Sequence, residues 1–162
     1  MIVIPVQTHW TRRDVANDPT AMYLFTDNAD RTSGSADIGE TCWYDQKYNM
    51  GNRVLCYPRV SQAVIRGLPN AFPITTMASY VGTYRAARSG QGQWKVEDLP
   101  RFFHTITDDI HTIQQHWCDF ECMKYSANVP FGQGDISRLP PELQEILNAL
   151  LRDIGIYQPR EP

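Results

Sequence analysis

A chain of 162 residues is long enough to bury one core and too short to divide comfortably into two. Hydrophobic residues make up 42% and charged residues 20%, ordinary globular usage that excludes a disordered or fibrous chain. The net charge of −3 arises from 15 basic and 18 acidic residues interspersed along the chain, which argues against nucleic-acid polymers as partners.

The N-terminal MIVIPVQTHWTRR holds a short apolar run with no basic segment before it, the pattern of neither a signal peptide nor a membrane span. A cytosolic location and no membrane partner are therefore expected. Cys42, Cys56, Cys118 and Cys122 lack the paired CxxC spacing of a structural zinc site, so they read as reduced thiols, with no metal and no cofactor expected.

In chain order, Met1 to Val6 and Met22 to Thr26 are β-branched or aromatic runs that predict two buried strands. The second runs into Asp27-Asn28-Ala29-Asp30-Arg31-Thr32-Ser33-Gly34-Ser35, the composition of an irregular loop. Val54 to Tyr57 predicts a further short strand, and Val60 to Arg66 a helical turn or two before Gly67. Leu68 to Thr76 places two prolines around an apolar stretch, as an edge or interrupted strand would. Ser89 to Trp94, with Gly90 and Gly92, reads as a surface loop or flap.

From Asp98, a possible N-cap, onward, Phe103, Ile106, Ile110, Ile113 and Trp117 recur at helical spacing and predict an amphipathic helix. Met123 to Phe131 predicts a strand. Leu143, Ile146, Leu147, Leu150, Leu151 and Ile154 predict the last helix, with Pro140 and Pro141 at its start and Gly155 at its stop. The alternation predicts a single α/β domain with a mostly parallel or mixed sheet flanked by helices. In such sheets ligands gather where strand ends lead into helices.

Two loops occupy such ends. Val129-Pro-Phe-Gly-Gln-Gly-Asp-Ile-Ser137 carries glycines that let backbone NH groups approach an anion, next to a helix N-terminus; GxG alone equally well only turns the chain. The Asp27 to Ser35 loop offers acceptors (Asp27, Asn28), a cation (Arg31) and hydroxyls around a glycine (Ser33, Gly34, Ser35), the mixture a nucleoside phosphate needs, though strand-end loops are polar in any case. Arg66, Gly67 and Asn70 form a third polar cluster, in which Arg66 either clamps phosphate or pairs with a carboxylate. His104, Asp108 and His111 share one helix face, which reads as solvated surface in the absence of an HExxH pattern. No GxSxG elbow or assignable nucleophile is present. The tryptophans Trp10, Trp43, Trp94 and Trp117 are core residues by default and a base-stacking platform otherwise.

Taken in order, Tyr23-Leu-Phe-Thr-Asp-Asn28, Arg31, Ser33-Gly-Ser-Ala36, Gln62-Ala63, Arg66-Gly-Leu-Pro-Asn-Ala71, Pro73-Ile-Thr-Thr76 and Val129 to Leu139 resemble an uncharacterised family common in bacteriophages and bacteria. Its members carry FGDN, GGQA, RGEPNA-GIPT and DGIGTGLA segments. The loop order in turn is similar to a reduced macrodomain, the ADP-ribose-binding fold. The resemblance implies Asp27 and Asn28 near a nucleoside, Ser33, Gly34 and Ser35 near ribose or phosphate, and Gly132, Gln133, Gly134, Asp135 and Ile136 around the phosphates. Arg31, and Arg66, Asn70, Thr75 and Thr76 of the Arg66 to Thr76 loop, are expected to complete the same site. Thr26 stands where the family has glycine, and Asp135 puts a carboxylate into the phosphate loop. The reading this favours is a phage-encoded nucleotide-binding protein of the bacterial host cytosol that sequesters an ADP-ribose-like or cyclic nucleotide immune signal, compatible with a homo-oligomer. One alternative is an ADP-ribosyl hydrolase or nucleotide-processing enzyme with Asp27 or Asp135 as general base. A second is a non-catalytic protein-interaction domain.

Overall fold

A computed structural model describes residues 1–7, 10–31, 62–81, 84–134 and 137–159. Four strands, β1 (Ile2–Val6), β2 (Ala21–Asn28), β3 (Ala71–Met77) and β4 (Cys122–Ser126), form one sheet in the order β1-β4-β2-β3. Every pairing between them is parallel, so the sheet expected to be mostly parallel or mixed is parallel throughout its described strands. Its four carboxyl ends consequently lie along one rim. The helices are α1 (Arg12–Ala16), α2 (Tyr84–Arg88), α3 (Leu99–His116) and α4 (Pro141–Arg152). No helix among the described residues is long and apolar enough to cross a membrane.

Side-chain alternation along β2 divides the core. Met22 and Leu24 join Ile74, Met123 and the inner faces of α3 and α4, whereas Ala21, Tyr23 and Phe25 pack with Trp10, Val15 and the 3-10 turn over 62–65. A strand buried on both faces has no polar side to alternate with, which is why β2 reads as a continuous apolar run. In α4, Leu143, Leu147 and Leu151 are fully buried, each stabilising the fold by about 1.5–3 kcal/mol. Pro141 stands in its first turn. Gly155, at φ 86°, ends it by letting the Ile156 N–H reach back to the Leu151 carbonyl at 3.0 Å, as a C-terminal glycine does.

Among the described residues both sheet edges are blunted. The Val6 carbonyl accepts from Ala127 N–H on the β4 side, so alternation turns Val3 and Pro5 outward. Tyr23 N–H donates to Asn70 O, which turns Pro73 and Thr75 outward on β3. Each edge thus carries a proline where a missing N–H costs no ladder bond and denies one to an incoming strand.

Several expectations change. β1 is an edge strand rather than a buried one, with Ile2 and Ile4 exposed. In α3 it is Phe102 that is buried while Phe103 is about half exposed, because the stripe runs Phe102, Ile106, Asp109, Ile110, Ile113. Asp98 precedes that helix, but its carboxylate accepts from Lys95 N–H instead of capping it. β4 stops at Ser126, and Phe131 enters the core from the following loop, with its ring stacked near Tyr125. Of 89–94, Ser89 to Gln91 lie on the surface as expected, but the segment is pinned to the sheet edge by Ala78 N–H on Gly92 O and by the buried Trp94. α1, built on a reciprocal capping box between Thr11 and Asp14, is one turn long, too short for hydrophobic periodicity to reveal. Val54 to Tyr57, Cys42, Cys56 and Trp43 lie outside the described residues.

Candidate functional site

The rim of strand ends brings together Asp27, Asn28, Arg31, Arg66, Thr75 and Thr76, and adds one residue that the sequence patterns do not single out. Asp27 follows Phe25 on the α1 side of the sheet, and its side chain is fully buried. Arg66 grips it with Nε to Oδ2 at 2.9 Å and Nη2 to Oδ1, and Asn28 N–H donates to Oδ1 at 2.8 Å. Here the 3-10 turn over 62–65 does the positioning. Its apolar Ala63, Val64 and Ile65 pack under β2, and Arg12 Nη1 ties down the Val64 and Arg66 carbonyls at 3.1 and 2.6 Å. Of the two roles open to Arg66, the carboxylate partner is the one the structure contains. Both Asp27 oxygens are thus held away from water, and the carboxylate anchors Arg66.

The added residue is Asp109, buried on the apolar stripe of α3. Its Oδ2 accepts the outward Thr75 N–H at 2.8 Å, while Trp94 Nε1 donates to Thr75 O at 3.0 Å, so together they cover the open edge of β3. Its Oδ1 lies 3.2 Å from Arg31 Nη2. Arg31 crosses the end of β2 to do this, with Nη1 at 3.7 Å from Asp27 Oδ2 and 38% of its side chain exposed. Its backbone is left-handed, φ 55°, a conformation that costs a non-glycine residue about 1–2 kcal/mol and that clusters at functional sites. The signal that could have found Asp109 is its phase: three residues after Ile106 and four before Ile113, a carboxylate there must be buried.

Burial pushes the Asp109 carboxyl up to about 6, against the opposing pull of its Thr75 hydrogen bonds and of the Arg31 guanidinium. Between about pH 4 and 6 the folded protein therefore keeps a proton that the unfolded chain has lost. Stability from this group is full at low pH and is lost as pH rises through 6. Asp109→Asn removes the titration. Chemical denaturation at pH 4.5 and 7.5 should show the stability difference, wild type minus variant, falling by about 2 kcal/mol toward the higher pH, because one proton held by only the folded state is worth about 1.36 kcal/mol per pH unit. An unchanged difference would contradict this environment for Asp109.

The other expected ligand residues are placed differently. Asn70 lies at the amino end of the sheet, where its Nδ2 donates to the Val15, Asp18 and Ala21 carbonyls at 3.0–3.1 Å. It braces the entry to β2 and β3 and is not brought to the rim. Gly132, Gln133 and Gly134 form a closed turn. Phe131 N–H is taken by Gln158 Oε1, Gln133 N–H by Pro130 O, and Gly134 N–H by Ser137 O, while Gly132 O accepts Leu139 N–H. The Gln133 and Gly134 NH groups are thus spent within the turn. It does reach the rim at one point, where Thr76 Oγ1 donates to Ser137 Oγ at 3.0 Å. His104 and Asp108 pair in solvent at 3.3 Å. Ser33, Gly34, Ser35, Asp135 and Ile136 lie outside the described residues. No group of three or more His, Cys, Asp or Glu among the described residues could hold a metal ion.

Neither the curated proteins nor the solved structures contain a match to this chain. A family model matches residues 5–151, a span that takes in β2 to β4, α3 and the whole described rim. The chain belongs to that family, described as a family of unknown function (DUF7831).

Proposed function

We propose that the rim of strand ends binds a phosphate-bearing small molecule of nucleotide type and holds it without cleaving it, with Arg31 as the anion contact. The observation that carries this reading is the state of Arg31. It is the more exposed of the two rim arginines, on a strained backbone, set between one carboxylate that Arg66 already satisfies and another that burial makes costly to ionise. A guanidinium so placed, with its Nη1 held only loosely by Asn28 O at 3.5 Å and Asp27 Oδ2 at 3.7 Å, loses little by accepting a second anion. The rim is also where parallel sheets hold ligands. From the family resemblance the ligand is ADP-ribose-like or a cyclic nucleotide, the frame is a reduced macrodomain, and the role is sequestration of an immune signal by a phage-encoded protein.

Thermal unfolding with ADP-ribose, cyclic ADP-ribose isomers and cyclic di- and trinucleotides tests it. A true ligand at a hundred times its Kd should stabilise the fold by about 2.7 kcal/mol, and Arg31→Ala should abolish the shift. No shift with any of them would sink the proposal. Should the ligand be turned over, the hydrolase reading takes Asp109, whose carboxyl titrates near 6, as the group suited to general acid–base work, in place of the locked Asp27.

A further inference from the structure

Asp109 supplies the oxyanion that faces Arg31. Its Oδ1 fills the position opposite Arg31 Nη2 at 3.2 Å, while its Oδ2 stays on Thr75 N–H at 2.8 Å. We propose, resting on the nucleotide-binding reading above, that Asp109 is a placeholder for the ligand's phosphate: it holds Arg31 when the site is empty and takes up a proton when an anionic ligand takes Arg31 over.

The driving force is electrostatic. A buried carboxylate is tolerated only while paired and hydrogen-bonded. Drawing Arg31 toward a ligand phosphate removes its counter-charge, and the phosphate itself is a like charge nearby. Both effects favour the neutral acid. Burial already brings that carboxyl to about 6, so the further rise occurs at physiological pH. Once protonated, Oδ1 becomes a donor to the ligand oxygen, while Oδ2 can keep Thr75 N–H. The exchange balances: one proton moves from solvent to Asp109, and the Arg31 charge is transferred from one oxyanion to another.

Among the described residues the charged groups facing Asp109 are few. Arg31 is in contact, with Asp27 and Arg66 paired behind it. β3 presents uncharged Thr75 and Thr76, and on α3 the adjacent Asp108 is turned to solvent with His104. Arg101, two turns earlier on α3, lies over the Trp94 ring with its Cζ 5.0 Å from the centroid. No second carboxylate contacts Asp109 among these groups.

The test uses ADP-ribose and a cyclic dinucleotide, whose phosphates are all esterified and so lack the second ionisation near pH 6 of a terminal phosphate. Calorimetric titration of the wild-type protein in two buffers of different ionisation enthalpy should show uptake of close to one proton above pH 6. The Kd should weaken by up to tenfold per pH unit in that range. Asp109→Asn should flatten this dependence and bind more tightly than wild type at pH 8. Binding that is independent of pH and of buffer overturns the placeholder role alone. Absence of binding at every pH overturns it together with the nucleotide-binding reading. Because the buffer comparison needs only the wild-type chain, a poorly folding Asp109→Asn leaves the question decidable.

Discussion

Arg66→Ala should destabilise the protein by about 3–5 kcal/mol, the cost of removing one partner from a buried ion pair. The Asp27 side chain has no exposed surface, and Arg66 meets it through two donors, Nε and Nη2. Among the described residues, the carboxylate without Arg66 keeps the Asn28 N–H and the more distant Arg31. It must then be ionised without adequate pairing or take a proton. Arg66→Lys should recover only part of the loss, since an ammonium cannot reproduce the forked contact. Urea unfolding of the three proteins checks this, and a cost below about 1 kcal/mol for Arg66→Ala would place the pair in the surface class. The double variant Arg66→Ala/Asp27→Asn should be markedly more stable than Arg66→Ala alone, because the stranded charge goes with its partner.

The second large effect belongs to Gly132. At φ 79° it lies in the region that L side chains rarely adopt, and a Cβ there would stand 2.5 Å from Gln144 Oε1 and 2.7 Å from Leu139 Cδ1. Left-handed strain of about 1–2 kcal/mol adds to overpacking of about 1–3 kcal/mol, so Gly132→Ala should cost about 2–5 kcal/mol. Gly90 is the internal control: it too has positive φ, at 107°, but no atom lies within 4 Å of its Cβ position. Gly90→Ala should therefore show the backbone cost alone. Equal thermal unfolding midpoints for the two variants would contradict the packing described around Gly132.

What could be read in the sequence follows from how each residue is satisfied. β2 was legible because Met22, Leu24, Tyr23 and Phe25 are all buried, on two opposite faces, and a continuous apolar run has few other uses. α4 was legible because its leucines repeat cleanly between prolines and a glycine. In α3 the predicted stripe shares Ile106, Ile110 and Ile113 with the buried one, and Trp117 packs against the core; Phe102 in place of Phe103 turns the buried face toward Asp109. A buried carboxylate is in any case invisible to hydropathy, since the Thr75 N–H and Arg31 that permit it come from 34 and 78 residues away.

Glycines admit both an open nest and a tight turn, and here Pro130 O, Ser137 O and Leu139 N–H draw the loop into a turn, while Gln144 of α4 and Gln158 after it hold the adjacent Phe131 backbone. Asn70 is a related case. A polar residue before a strand looks like a loop ligand, whereas its amide is consumed by three carbonyls at the sheet's amino end.

The claim that the rim of strand ends is the binding site is tested most directly by amide chemical-shift mapping with whichever nucleotide stabilises the protein. Perturbations should gather at Asp27 to Arg31, Thr75 to Met77, Asp109 and Ser137, and should be lost in Arg31→Ala. Perturbations centred instead on Asp18, Asn70 and Lys124, at the opposite end of the sheet, would contradict it.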